Sequence, residues 1–195
     1  MKKLILAVLA VFCVASVGLA SDWGLGLKLG AGQNDPKTLK DEHKVFGGDL
    51  EEGYGVFAIE GQYEWALEEA NKIGVRLGID VYGDNELKVG PTKETESTYA
   101  IPLTVYYRMD NGIKAVSWYA GAGATYIRTD VEIGTYKGHK AKVFPHVVAG
   151  GEYRFTKLFA LGLEAKYNIG AKLEKDGYKT DRSGISGALV GRFYF

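Results

Sequence analysis

From Trp23 to Phe195 the chain alternates apolar and polar side chains in eight segments: 23–32, 56–65, 73–82, 99–108, 118–127, 143–154, 161–169 and 185–195. A period of two is the mark of a β-strand whose two faces meet different surroundings. In the first segment Trp23, Leu25, Leu27, Leu29 and Ala31 share one face, and Gly24, Gly26, Lys28, Gly30 and Gly32 share the other. In the third, Ile73, Val75, Leu77, Ile79 and Val81 oppose Gly74, Arg76, Gly78, Asp80 and Tyr82. The fifth reads either way; an aromatic at each end, Trp118 and Tyr126, favours that face as the outward one.

Each segment has roughly ten residues, long against the ~5–6 usual in soluble sheets. Ten residues tilted by ~45° cross a bilayer. Only a closed sheet satisfies every backbone polar group in lipid, with one face toward lipid and the other toward a lumen. The predicted fold is therefore all-β, an eight-stranded antiparallel up-and-down transmembrane β-barrel. The connections support it: 33–53, 83–97, 128–140 and 171–182 are long, whereas 66–71, 109–116 and 156–159 are short. All the long ones then fall on one side of the membrane. Trp23, Trp65 and Trp118, joined by Tyr63, Tyr107, Tyr153, Phe159, Phe193 and Phe195, cluster at the short-turn end, and Tyr54, Phe57, Tyr99, Tyr126 and Tyr167 lie toward the other. Two aromatic girdles are the expected interfacial anchors. A soluble ligand-binding barrel would alternate too, but its first strand would line the calyx with leucines and show Gly-x-Gly to water.

The first twenty residues change the compartment, not the fold. Lys2-Lys3 precede an almost wholly apolar run from Leu4 to Leu19, and Gly18-Leu19-Ala20 places small residues before Ser21. This pattern reads as a secretory signal peptide, residues 1–20, exported by Sec and cleaved near Ala20-Ser21, followed by one barrel domain over 21–195. The sole Cys of the 195 residues, Cys13, lies inside that run, so no disulfide framework and no Cys-based zinc site are expected. Lys+Arg and Asp+Glu are both 24, giving zero formal charge, which speaks against a nucleic-acid partner. Glycine, 27 of 195 residues, is roughly twice its ordinary share.

Particular stretches carry a resemblance. Ile101-Pro102-Leu103-Thr104-Val105-Tyr106-Tyr107-Arg108, Tyr119-Ala120-Gly121-Ala122-Gly123, Gly150-Gly151-Glu152-Tyr153-Arg154-Phe155 and the closing Arg192-Phe193-Tyr194-Phe195 stand out. Together they resemble the small outer-membrane β-barrel proteins of the OmpA/OmpX/OmpW type. The resemblance covers nearly all of 21–195 and implies a bacterial outer-membrane location. The terminal Phe resembles the signal read by the barrel-assembly machinery, a partner during insertion; the glycine usual five residues earlier is Val190 here, with Gly191 beside it. The other implied partners are membrane lipid and lipopolysaccharide, and a monomer is expected.

The candidate site is the lumen. Glu60, Glu64, Arg76, Asp80, Arg108, Glu152, Arg154, Glu164 and Arg192 all fall on inward faces, as do Lys28, Gln62, His146 and Lys166. An eight-stranded barrel is just wide enough inside for side chains to fill it. These charges are expected to pair across strands as a polar plug, Arg76 with Glu60 or Glu64 first among them. A narrow ion or small-solute channel is the alternative. A lipid A-modifying enzyme is the second alternative; its deacylase form carries His and Ser two residues apart on an outward-facing strand, and here Val148 follows inward-facing His146. His43 and His139 sit in polar stretches without ligand-like spacing, so neither metal nor cofactor is expected. The reading is a non-enzymatic outer-membrane barrel serving envelope structure or surface interaction. Its charged long loops, such as Lys37 to Lys44 with Asp49, Glu51 and Glu52, are the natural place for binding.

Overall fold

The computed structural model describes residues 23–32, 37–51, 54–68, 70–89, 92–110, 115–133, 136–175 and 178–195; the signal-peptide reading of 1–20 lies outside them. In chain order the elements are β1 (Trp23–Gly32), α1 (Lys37–Phe46), β2 (Asp49–Glu51), β3 (Gly55–Glu68), β4 (Asn71–Tyr82) and β5 (Asn85–Val89). They continue with β6 (Thr92–Asp110), β7 (Val116–Ile133), β8 (Tyr136–Arg154), β9 (Phe159–Asn168), β10 (Lys172–Lys175), β11 (Tyr178–Asp181) and β12 (Gly184–Tyr194).

Eight of the strands, β1, β3, β4, β6, β7, β8, β9 and β12, pair antiparallel with their neighbours, and β12 returns to β1. The seam runs from Gly24 opposite Tyr194 to Gly32 opposite Ser186, so no edge is left open. The outer wall is apolar: Leu29, Leu77, Leu103, Val105, Val143, Leu163 and Leu189 are about half exposed to the surroundings. In β7 it is the Trp118 face that points outward, with Tyr119, Thr125 and Ile127 inside. At the short-turn end the girdle interlocks, with ring centroids 4.9 Å apart for Trp23–Tyr63, 4.6 Å for Tyr63–Trp65 and 5.2 Å for Phe159–Phe193.

The long connections differ from the sequence reading. Stretches 83–97 and 128–140 are mostly strand rather than loop, because β6, β7 and β8 run for 19, 18 and 19 residues. Ten or so suffice to cross the membrane, so roughly half of each projects beyond it. The apolar code stops at the lipid boundary, but Thr95, Thr98, Val131 and Ile133 keep the strand preference and the ladder continues. Beside this wall β5 pairs with the upper part of β6, and β2 with β5. Stretch 171–182 is the β10–β11 hairpin.

Helix α1 has ten residues, a length marginal in isolation, and it is held by fully buried Leu39. It stops at Gly47, whose φ of 70° lets its N–H donate back to the His43 carbonyl at 2.8 Å. The projecting strands, β2, β5, α1 and the β10–β11 hairpin form an ordered crown over the long-loop end.

Candidate functional site

Strand parity stacks the inward side chains in layers. Climbing from the short turns, β4 contributes Lys72, Gly74, Arg76, Gly78, Asp80 and Tyr82; β8 contributes Arg154, Glu152, Gly150, Val148, His146 and Phe144. The lowest full layer centres on Arg108. Its guanidinium lies 3.1 Å from Glu64, 2.6 Å from Glu152, 2.7 Å from the Tyr194 hydroxyl and 2.8 Å from Ser117.

Above it, Arg192 lies 2.6 Å from Glu152, 3.1 Å from Glu60 and 3.4 Å from Glu164, and donates to the Tyr119 hydroxyl at 3.1 Å. Arg76 is 2.5 Å from Glu164, and its Nε is 3.3 Å from Glu60, a contact of charge rather than an aligned hydrogen bond. Lys28 bridges Glu60, at 2.5 Å, and Glu164. Lys28, Arg76, Arg108 and Arg192 thus balance Glu60, Glu64, Glu152 and Glu164, all buried. Burying such charges is tolerable because each finds opposite charge and hydrogen bonds.

Tyrosines are part of the same network. Tyr106 donates to Glu64 at 2.8 Å, Tyr119 to Glu164 at 2.9 Å and Tyr194 to Glu152 at 2.5 Å. Their rings stack under guanidinium groups, Arg76 at 4.6 Å from the Tyr106 centroid and Arg192 at 4.7 Å from that of Tyr119. Room for the rings comes from glycines directly across the ladder. A Cβ at Gly74 would stand 2.4 Å from Tyr106, and one at Gly150 2.4 Å from Tyr119.

Two further layers lie above. Asp80 pairs with Lys166, and His146, 1% exposed, has its ring nitrogens 2.9 Å from Thr104 and 2.8 Å from Thr125. Then polarity ends. Tyr82, Ala100, Ile127 and Phe144 from the wall close around Ala171 and Leu173, so the β10–β11 hairpin is folded into the mouth. Arg182, just past that hairpin, is 2.7 Å from Glu96 and 2.6 Å from Thr98 on β6.

Of the sequence candidates, Glu60, Glu64, Arg76, Arg108, Glu152, Glu164 and Arg192 meet in one connected cluster. Arg76 takes Glu60 and reaches across the barrel to Glu164, while Glu64 goes to Arg108. Two candidates behave differently. Asp80 pairs with a lysine, not an arginine. Arg154 has no carboxylate within 4.0 Å among the described residues and lies over the Tyr194 ring at 4.1 Å. Its position at the strand end lifts it out of the layer that holds the acids. Sequence reasoning missed the tyrosine hydroxyls, although parity already placed Tyr106 and Tyr194 inside, and the choice of Trp118 as outward placed Tyr119 there too. It also missed Arg182 and Glu96, assigned to loops. Among the described residues, no group of three His, Cys, Asp or Glu side chains could hold a metal ion.

A model of the outer membrane protein beta-barrel domain family matches residues 4–193. The chain belongs to that family. Outer membrane protein beta-barrel structures from other bacteria share the architecture of this one at low identity. OprG of Pseudomonas aeruginosa superposes with a TM-score of 0.56 at 10% identity, over 90% of this chain and 96% of its own. Neisserial surface protein A gives 0.54 at 15%, over 88% and 95%. Ail of Yersinia pestis, in complex with the heparin analogue sucrose octasulfate, gives 0.53 at 12%, over 89% and 99%. No curated protein sequence matches the chain. Membership in the outer membrane protein beta-barrel family places the apolar wall in a bacterial outer membrane.

Proposed function

We propose that this protein is a closed, non-conducting and non-enzymatic barrel that stabilises the envelope and presents a rigid crown for surface contacts. The observation that carries the reading is the filled lumen. A charge-balanced layer spans it from Arg108 to Arg76, and an apolar layer around Leu173 seals it above. An ion would have to break several buried pairs and then cross a dry constriction; both steps oppose conduction. The enzymatic alternative finds no support, because His146 is enclosed between the two layers and satisfied by two threonine hydroxyls.

In this reading the short turns and both strand termini face the periplasm, and the crown faces the medium. Its projecting β7–β8 hairpin carries Arg128, Asp130, Glu132, Lys137, His139, Lys140 and Lys142, a mixed-charge surface suited to polar ligands and to the phosphates of lipopolysaccharide. Planar-bilayer recording of the refolded chain tests the closed lumen. No unitary steps above the lipid baseline are expected; a steady ohmic conductance would instead establish the channel.

A further inference from the structure

At the short-turn mouth, outside the charge cluster, lies a cavity of about 710 Å³ lined by Lys72, Arg154, Thr156, Lys157, Leu158 and Tyr194, together with Phe155 and Phe195. Among the described residues, no acidic side chain lines it. Five described arginines, Arg76, Arg108, Arg128, Arg182 and Arg192, each have a carboxylate partner. Among the described residues Arg154 has none, and its Nε is buried without an acceptor there. The Tyr194 ring beneath it, at 4.1 Å, fixes the guanidinium plane without neutralising it. Lys72 leans toward Glu64 at 3.6 Å, but Glu64 already serves Arg108 and Tyr106. Lys157 is exposed in the turn and, among the described residues, has no ion-pair partner. A carboxylate ending the chain at Phe195 would offset only one of the three cations. Thr156 adds a donor: its hydroxyl oxygen accepts from the Leu158 and Phe159 amides at 3.2 and 3.0 Å, leaving its own proton to give.

We propose that this mouth is a phosphate-binding site. A preoriented guanidinium, two ammonium groups and a hydroxyl donor are complementary to phosphate oxygens, and arginine binds them in a fork. The apolar rim of Phe155, Leu158 and Phe195, each more than half exposed, lies at the level of the aromatic girdle. That rim suits the glycerol and first methylenes of a phospholipid, while a free phosphate would use the cations alone. The site stands on the cavity; only the assignment to the periplasmic leaflet rests on the orientation proposed above.

The test uses the refolded full chain in detergent, examined by native mass spectrometry with phosphatidylglycerol and with phosphate-free diacylglycerol. In parallel, ³¹P line broadening of inorganic phosphate is recorded. The R154Q/K157Q double variant, checked for heat-modifiable migration, is the comparison. Phosphatidylglycerol should be retained about tenfold better by the natural chain than by the variant, the loss of charge-assisted contacts. Diacylglycerol should be retained equally weakly by both. Broadening of inorganic phosphate, abolished in the variant, would show that the phosphate alone suffices; lipid retention without it would assign the headgroup. Equal retention of both lipids, or unchanged phosphatidylglycerol retention in a folded variant, would overturn the proposal. K157Q alone, in an exposed turn, keeps the test valid if R154Q impairs folding: an intermediate loss supports the site, and no loss refutes it.

Discussion

Arg192 shows how much a single lumen residue carries. It touches Glu60, Glu152 and Glu164 while only 2% exposed. Arg192→Ala would leave those buried carboxylates short of a cation, a loss of about 3–5 kcal/mol. Urea unfolding from lipid vesicles, followed by tryptophan fluorescence, measures it. A second residue-scale prediction concerns space. Gly150→Ala drives a methyl into Tyr119, which is held by Glu164 and Arg192 and cannot swing aside. The expected cost is about 1–3 kcal/mol in the same assay, the price of overpacking. Inward placement of Arg192 was legible from parity alone, whereas that of Tyr119 rested on choosing the Trp118 face as the outward one. That Arg76 reaches Glu164 was not, because the partners are 88 residues apart and meet only across the closed lumen.

At the scale of elements, the crown departs most from a chain of loops. α1 packs where Glu42 meets Glu94 of β6, each with a buried carboxylate oxygen lacking a partner. Burial first, then the hydrogen bond and charge of Glu94, push the Glu42 carboxyl up from 4.5 to about 7. The docked helix therefore prefers protonated Glu42. Its stabilisation is full below pH 4.5 and fades as pH rises through about 7. Asp181 on β11, held to Lys37 at 3.6 Å, and Glu86, held to Lys93 at 2.7 Å, keep their own ion pairs around it. Hydrogen exchange at the Leu39 amide should accelerate between pH 5 and pH 7.5 beyond the intrinsic rate, and Glu42→Gln should remove the excess. The helix and the β10–β11 hairpin escaped sequence reading because each is short and mostly polar. Single anchors, Leu39 and Leu173, carry their burial, and one apolar residue makes no period.

For the whole molecule, orientation is the property to check. Cys13 is the only cysteine in the chain, so introduced thiols report cleanly in a Cys13→Ser background. Asp49→Cys in the crown should react with an impermeant maleimide on intact cells, and Lys157→Cys in a short turn should react only after the outer membrane is permeabilised. The reverse pattern would invert the topology. The sequence by itself determined the number of barrel strands, the face each side chain takes outside the fifth strand, and the short-turn end. These follow from local period and from the demand that lipid meet only apolar groups. Tertiary structure alone decided which acid meets which base, that Arg154 is left without one among the described residues, and that a polar hairpin folds inward at the mouth. Those outcomes depend on distances across the lumen, set when β12 closes on β1, and no pattern along a single strand encodes them.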